Sequence, residues 1–193
     1  MRNKLIAVTA TALAVLAGCA PPPSPPPQIA QPEPEIEVIT LQNEFNADEA
    51  RALLAKGNNT IKGSALIRQQ GGGVVTCAGQ EVDLLPNTAY ARERISHIYG
   101  NVTKGVSWFQ EQALEYWEFD HTAPEYRDLQ KITVCDAQGY FKFTNVADGS
   151  FFVITDISWS TSGSTNWSEW EGGFLMQRVD IRNGETREIV LAP

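Results

Sequence analysis

Histidine and cysteine are scarce in this 193-residue chain, two of the first and three of the second. The shortage leaves little for imidazole or thiolate chemistry. No HExxH, CxxC or Gly-x-Ser-x-Gly spacing occurs, so zinc proteolysis, thiol redox exchange and serine hydrolysis on a nucleophile elbow have no supporting motif. No cofactor is implied. Basic residues are also few, 15 Lys and Arg against 23 Asp and Glu, for a formal net charge of −8. An acidic chain repels phosphate backbones, which argues against nucleic acid as a partner. Long apolar runs are missing too. The longest, Leu5 to Leu16, falls short of the roughly 20 residues that cross a hydrocarbon core, and it is rich in Ala and Thr.

What is present begins at that run. Arg2 and Lys4 precede it and small residues follow it, the layout of an export signal. Leu16-Ala17-Gly18-Cys19 resembles the bacterial lipobox. That resemblance implies cleavage before Cys19, acylation of its sulfur, and a mooring by more than one acyl chain, which is what stable anchoring requires. Ala20, in place of the Asp of the inner-membrane retention signal, implies an outer-membrane destination in the bacterial envelope. Six prolines lie within residues 21–27. Such a tract cannot build a core and extends at about 3.1 Å per residue as a semi-rigid spacer. The expected organisation is a signal peptide over 1–18, a lipidated Cys19 and Pro-rich linker over 19–43, and one folded domain over 44–193.

In that domain only Cys77 and Cys135 remain, an even pair in a chain directed to an oxidising compartment, so they are expected to form a disulfide. Asn46-Ala47-Asp48-Glu49 has the spacing of a helix start, and Gly57 offers a stop, which predicts a short helix over 47–56. From Thr60 onward short β-rich segments dominate: TIKGSALIR, GGGVVTC, QEVDLLP, QKITVC, YFKFTNV, SFFVITDISWS, FLMQRVDIR and ETREIVLAP. Residues 87–121 interrupt them. TAYARERISHIYG carries Ala91, Ile95 and Ile98 as one helical stripe with Gly100 behind it, while VSWFQEQALEYWEF fits either a second helix or an irregular aromatic cover. The whole stretch reads as an insertion packed on a sheet face. Phe151, Val153 and Ile157 alternate with Phe152 and Ile154, so that strand needs a covering layer on both sides: the opposite sheet on one, the insertion on the other. Asn183-Gly184 is a strong hairpin signal, because both residues tolerate positive φ.

The order CDAQGYFKFTNVADGSFFVIT followed by VDIRNGETREIVL resembles the carboxypeptidase regulatory-like family, small sandwiches of the transthyretin (prealbumin) type. The likeness lies in an Asp-x-x-Gly turn at Asp136 to Gly139, the Phe141 and Phe143 strand, the Asp148-Gly149 turn and the Phe151 to Val153 strand, and VTCAGQEVDLLPNTAYARE adds to it. It implies an all-β antiparallel sandwich of about seven strands, here with a helical insertion and a short N-terminal helix. It also implies a binding or folding accessory without a catalytic group.

Within residues 158–173, read as a polar loop, Trp159, Trp167 and Trp170 stand among Ser, Thr, Asn and Glu169. Such indoles either stack on a sugar ring or anchor a partner, or fold back as a lid over the sandwich end. These four residues are the candidate ligand contacts. The expectation is a non-enzymatic, lipid-anchored envelope domain that binds or scaffolds a protein or glycan component and meets the membrane only through its lipid. The alternative is an envelope hydrolase using acidic residues or a metal near His121, with Glu118, Asp120 and Glu125 as its neighbours.

Overall fold

The computed structural model describes residues 36–112, 117–162 and 168–193, omitting the side chains of residues 111, 112, 162, 168 and 169. All of them belong to one unit, Pro34–Pro193. The signal segment, Cys19 and the proline tract lie outside the described residues. No described helix is long and apolar enough to cross a membrane.

The chain runs through β1 (Glu37–Ile39), α1 (Ala47–Leu53), β2 (Asn59–Arg68), β3 (Val74–Thr76), β4 (Glu81–Pro86), α2 (Ala89–Tyr99), β5 (Lys104–Trp108) and α3 (Phe109–Gln112). It continues through β6 (Trp117–Phe119), α4 (Pro124–Asp128), β7 (Lys131–Val134), β8 (Tyr140–Val146), β9 (Gly149–Ser162), β10 (Ser168–Ile181) and β11 (Thr186–Leu191). Two sheets face each other. One is antiparallel in the order β5-β10-β9-β4-β7. The other is built on β2, which carries β11 in parallel along one edge, β8 antiparallel along the other, and β3 antiparallel at Leu66 to Arg68. This is an all-β sandwich with small helical parts, the fold that the sequence resemblance implies, with more strands than seven and with one parallel pair, β2–β11, among its antiparallel ones.

Alternation on β9 explains the layering. Phe151, Val153 and Ile157 point into the space between the sheets with Val82, Leu84, Ile61, Phe141 and Phe143. Phe152 and Ile154 point the other way and meet Leu85, Met176, Ala91 and Ile95. The second cluster is the cover supplied by α2. Phe151 and Phe152 are both fully buried, and each burial stabilises the fold by about 2 to 3 kcal/mol. Helix α2 begins at Thr88, whose hydroxyl accepts the Ala91 N–H at 3.2 Å, and ends on Gly100 in the left-handed region. Cys77 and Cys135 are joined in a disulfide, 58 residues apart, with both side chains buried.

Several boundaries differ from the sequence reading. Helix α1 starts at its Asn46 cap, which accepts the Asp48 and Glu49 N–H groups at 3.1 Å, but it ends at Leu53. Gly57 is no stop signal: it lies so close to the Val146 and Ala147 backbone that a β-carbon would collide there. Within the supposed insertion, Lys104 to Trp108 is a strand at the edge of the main sheet, paired antiparallel with β10 from Gly173↔Trp108 to Gln177↔Lys104. The supposed linker ends inside the fold. Residues 37–39 pair in parallel with β6, and the Gln42 and Asn43 N–H groups are held by the Glu93 carboxylate at 2.7 and 2.9 Å. The long polar loop is shorter than residues 158–173, since β9 and β10 pair from Ser162↔Ser168 downward.

Asn183 and Gly184 do adopt positive φ, 61° and 71°, and the Glu185 N–H closes the turn on the Arg182 carbonyl at 3.2 Å. Yet β10 and β11 do not form a hairpin. The turn passes the chain from one sheet to the other, where β11 joins β2 in parallel.

Candidate functional site

Trp159 on β9 pairs with Glu171 on β10, and Trp108 on β5 pairs with Gly173 on the same strand. Gly173 also registers with the core residue Ile157. Side chains two apart along a strand share a face, so both indoles lie on the inner face of the main sheet, one on either side of β10. Two strand spacings separate them, roughly 10 Å. Gly173 lies between them without a side chain. Both rings rest partly on the core and stay half exposed beyond it. Between these indoles and the end of β2 in the facing sheet a cleft of about 790 Å³ opens.

The rim of the cleft is polar. Arg68, Gln69 and Gln70 come from the end of β2 and its following turn, Gln110 from α3, and Glu171 from β10. Flat indole faces next to amide and carboxylate groups suit a ligand with an apolar ring face and a girdle of hydroxyls. The floor is held by backbone geometry. Gly172 has φ +125°, and any β-carbon on it would strike the Ile157 carbonyl, so a glycine is required where β9 and β10 approach.

The structure divides the candidates drawn from the sequence. Trp159 lines the cleft. Trp170 pairs with Ser160 and therefore points to the opposite face of the β9–β10 ribbon, where it is 64% exposed. The two do not form one surface, because adjacent residues of paired strands alternate between faces. Trp167 and the Glu169 side chain lie outside the described residues. Sequence reasoning missed Trp108, which only pairing with β10 brings beside Trp159, and it gave no role to Gln69 and Gln70. The signal available for those was the polar Gln-Gln-Gly-Gly-Gly run between two strands.

Around His121 two of the acidic neighbours, Asp120 and Glu125, are engaged elsewhere. Asp120 accepts the Thr40 hydroxyl at 2.9 Å, and Glu125 pairs with Arg51 at 2.6 Å. His97 and His121 are both exposed, and His97 packs edge-on against Phe119. Among the described residues no group of three His, Cys, Asp or Glu side chains could hold a metal ion.

No family model matches the chain, and no curated protein matches it. Among solved structures it is similar to that of a proposed carbohydrate-binding protein from Pseudomonas aeruginosa, with 18% identity and a TM-score of 0.63. The match covers 78% of this chain and 99% of the other. At that identity the likeness establishes the shared sandwich, and the cleft at its end is read from this chain's own residues.

Proposed function

We propose that this is a lipid-anchored, non-enzymatic domain of the bacterial envelope, of the carboxypeptidase regulatory-like type, that binds a glycan in the cleft floored by Trp108 and Trp159. The observation that carries the reading is the pair of half-exposed indoles on one sheet face with amide and carboxylate groups around them. The carbohydrate-binding description of the similar structure supports it. Cys19 supplies the mooring and the proline tract the stalk, so the cleft is presented away from the lipid surface.

The test is binding of envelope polysaccharides and their oligosaccharides to the mature protein. Trp108→Ala and Trp159→Ala should each weaken binding by about 2 kcal/mol, roughly thirtyfold in Kd. Because both rings also pack on the core, Trp→Phe variants serve as the fold-preserving comparison. Undiminished binding in the Ala variants would remove the site. Anchoring is tested separately: labelled palmitate should enter the wild type and not Cys19→Ser.

A further inference from the structure

Helix α2 covers only part of the outer face of the main sheet. Leu85, Phe152 and Met176 lie beneath it, but farther along the strands Ile132 and Val134 are 53% and 56% exposed. At the border a second cleft opens, about 780 Å³. Asp83 and Ile154, cross-strand partners, form its floor. Tyr99 from α2, Tyr126 from α4 and Trp117 from β6 supply aromatic walls. Asp83 alternates with the inward-facing Val82 and Leu84, so this cleft lies on the opposite side of the sheet from Trp108 and Trp159.

The Asp83 carboxyl has no hydrogen bond or ion pair with any group among the described residues. The charges that act on it are negative, Glu81 on its own strand and Asp156 on β9. Burial, then Glu81, then Asp156, push it up to about 6. The Tyr99 hydroxyl nearby is also raised, by burial first and then by Tyr126 and Asp83. Neither arginine of the cleft forms an ion pair with Asp83 among the described residues: Arg94 donates to the Thr122 hydroxyl at 3.1 Å and lies 3.9 Å over the Phe119 ring and 5.2 Å from the centre of the Tyr126 ring, and Arg127 is exposed. Burial, the largest cause, pushes the Tyr126 hydroxyl up to about 12 against the smaller lowering effect of Arg94.

A half-buried carboxylate with no donor, beside two like charges, is relieved by a cation. A neutral ring would fill the apolar walls and leave the carboxylate unpaired; an anion set against Asp83 would be repelled by it and by Glu81 and Asp156. An ammonium on a ring-sized apolar body satisfies the whole arrangement, through a charge-assisted bond to the carboxylate, attraction to the ring faces, and contact with Ile154 and Leu85. We propose that this cleft binds an organic ammonium ligand, with Asp83 as its counter-ion and Tyr99, Trp117 and Tyr126 as its walls. The site is independent of the glycan cleft.

Binding needs the ionised carboxylate, so affinity falls as pH drops through about 6. Glu81, Asp156, Tyr99, Tyr126, Arg94 and Arg127 are the other titratable or charged groups around it. The experiment titrates the mature full-length protein with three isosteric probes, cyclohexylammonium, cyclohexanol and cyclohexanecarboxylate, following the tryptophan indole N–H signals by NMR. Cyclohexylammonium should bind at least about tenfold more tightly than cyclohexanol near pH 8, and the preference should collapse near pH 5. Asp83→Asn should abolish the preference and Trp159→Phe should leave it unchanged. Equal binding of the ammonium and the alcohol, a preference that survives Asp83→Asn, or no response to any probe would each overturn the proposal. If Asp83→Asn fails to fold, the wild-type ranking of the three probes decides alone.

Discussion

Asn59 and Asp148 are joined by a hydrogen bond of 2.8 Å from Asn59 Nδ2 to Asp148 Oδ1. The same amide donates to the Val146 carbonyl at 3.0 Å and accepts the Glu185 N–H at 2.9 Å, while Asp148 Oδ1 also accepts the Asn183 N–H at 3.1 Å. One fully buried side chain thus ties the turn between β8 and β9 to the turn where the chain changes sheets.

Asn59→Ala should therefore lower stability by about 2 kcal/mol, because it removes the amide's bonds to the Val146 carbonyl and to Asp148 and leaves the Glu185 N–H only its longer turn bond. The urea midpoint measures this. A midpoint equal to that of the wild type would show that the amide is dispensable.

Reducing the Cys77–Cys135 bridge should cost about 4 kcal/mol in the chain-entropy account of a loop this long. Folding should survive at moderate temperature, since the Cys135 N–H still bonds the Gln80 carbonyl at 2.9 Å and the Gly79 N–H the Cys135 carbonyl at 3.1 Å. In thermal scans the wild type with reductant and the Cys77→Ser/Cys135→Ser variant should share one Tm, lower than that of the wild type without reductant. A reductant-insensitive Tm would refute the estimate.

Two glycines with positive φ should respond differently to alanine. At Gly184 a β-carbon meets open space, and the cost is the left-handed backbone alone, about 1 kcal/mol. At Gly172 the β-carbon also collides with the Ile157 carbonyl, so Gly172→Ala should cost more than about 2 kcal/mol and disturb the floor under Trp159. Equal losses in parallel denaturation curves would contradict the geometry.

Asp83 should make stability depend on pH in a definite direction. Its folded value, about 6, lies above the ordinary aspartate value of 3.8, so between those limits the folded state holds more protons than the unfolded one. Stability from this group is then greatest below pH 3.8 and is lost as pH rises through about 6. Asp83→Asn should raise the denaturation midpoint at about pH 8 and leave it almost unchanged at about pH 4. A variant less stable than the wild type at the higher pH would contradict an unpaired carboxylate.

Much of the fold is legible locally. The apolar alternation over Phe151 to Ile157 announces its two covers, Asn46 announces a helix start, the Ala91, Ile95 and Ile98 stripe with Gly100 announces α2, and Asn183-Gly184 announces a turn of positive φ. The candidate sites are far less legible. Trp159 carries a sequence signal, but Trp108 gains its meaning only from the strand lying between them, and Asp83 reads as an ordinary solvent-facing residue of an alternating strand.

What the chain's own order determined is whatever depends on near neighbours: side-chain alternation, helix caps, turn conformations, and the pairing of the two cysteines that remain after Cys19. The tertiary structure alone decided that β5 would join the main sheet, that Asn183-Gly184 would link two sheets instead of closing a hairpin, and that Trp159 and Trp170 would face opposite ways. The physical reason is that strand pairing joins segments far apart in the chain. Which edges meet, and in which register, is settled by the burial of whole faces at once, a property that no local window of residues contains.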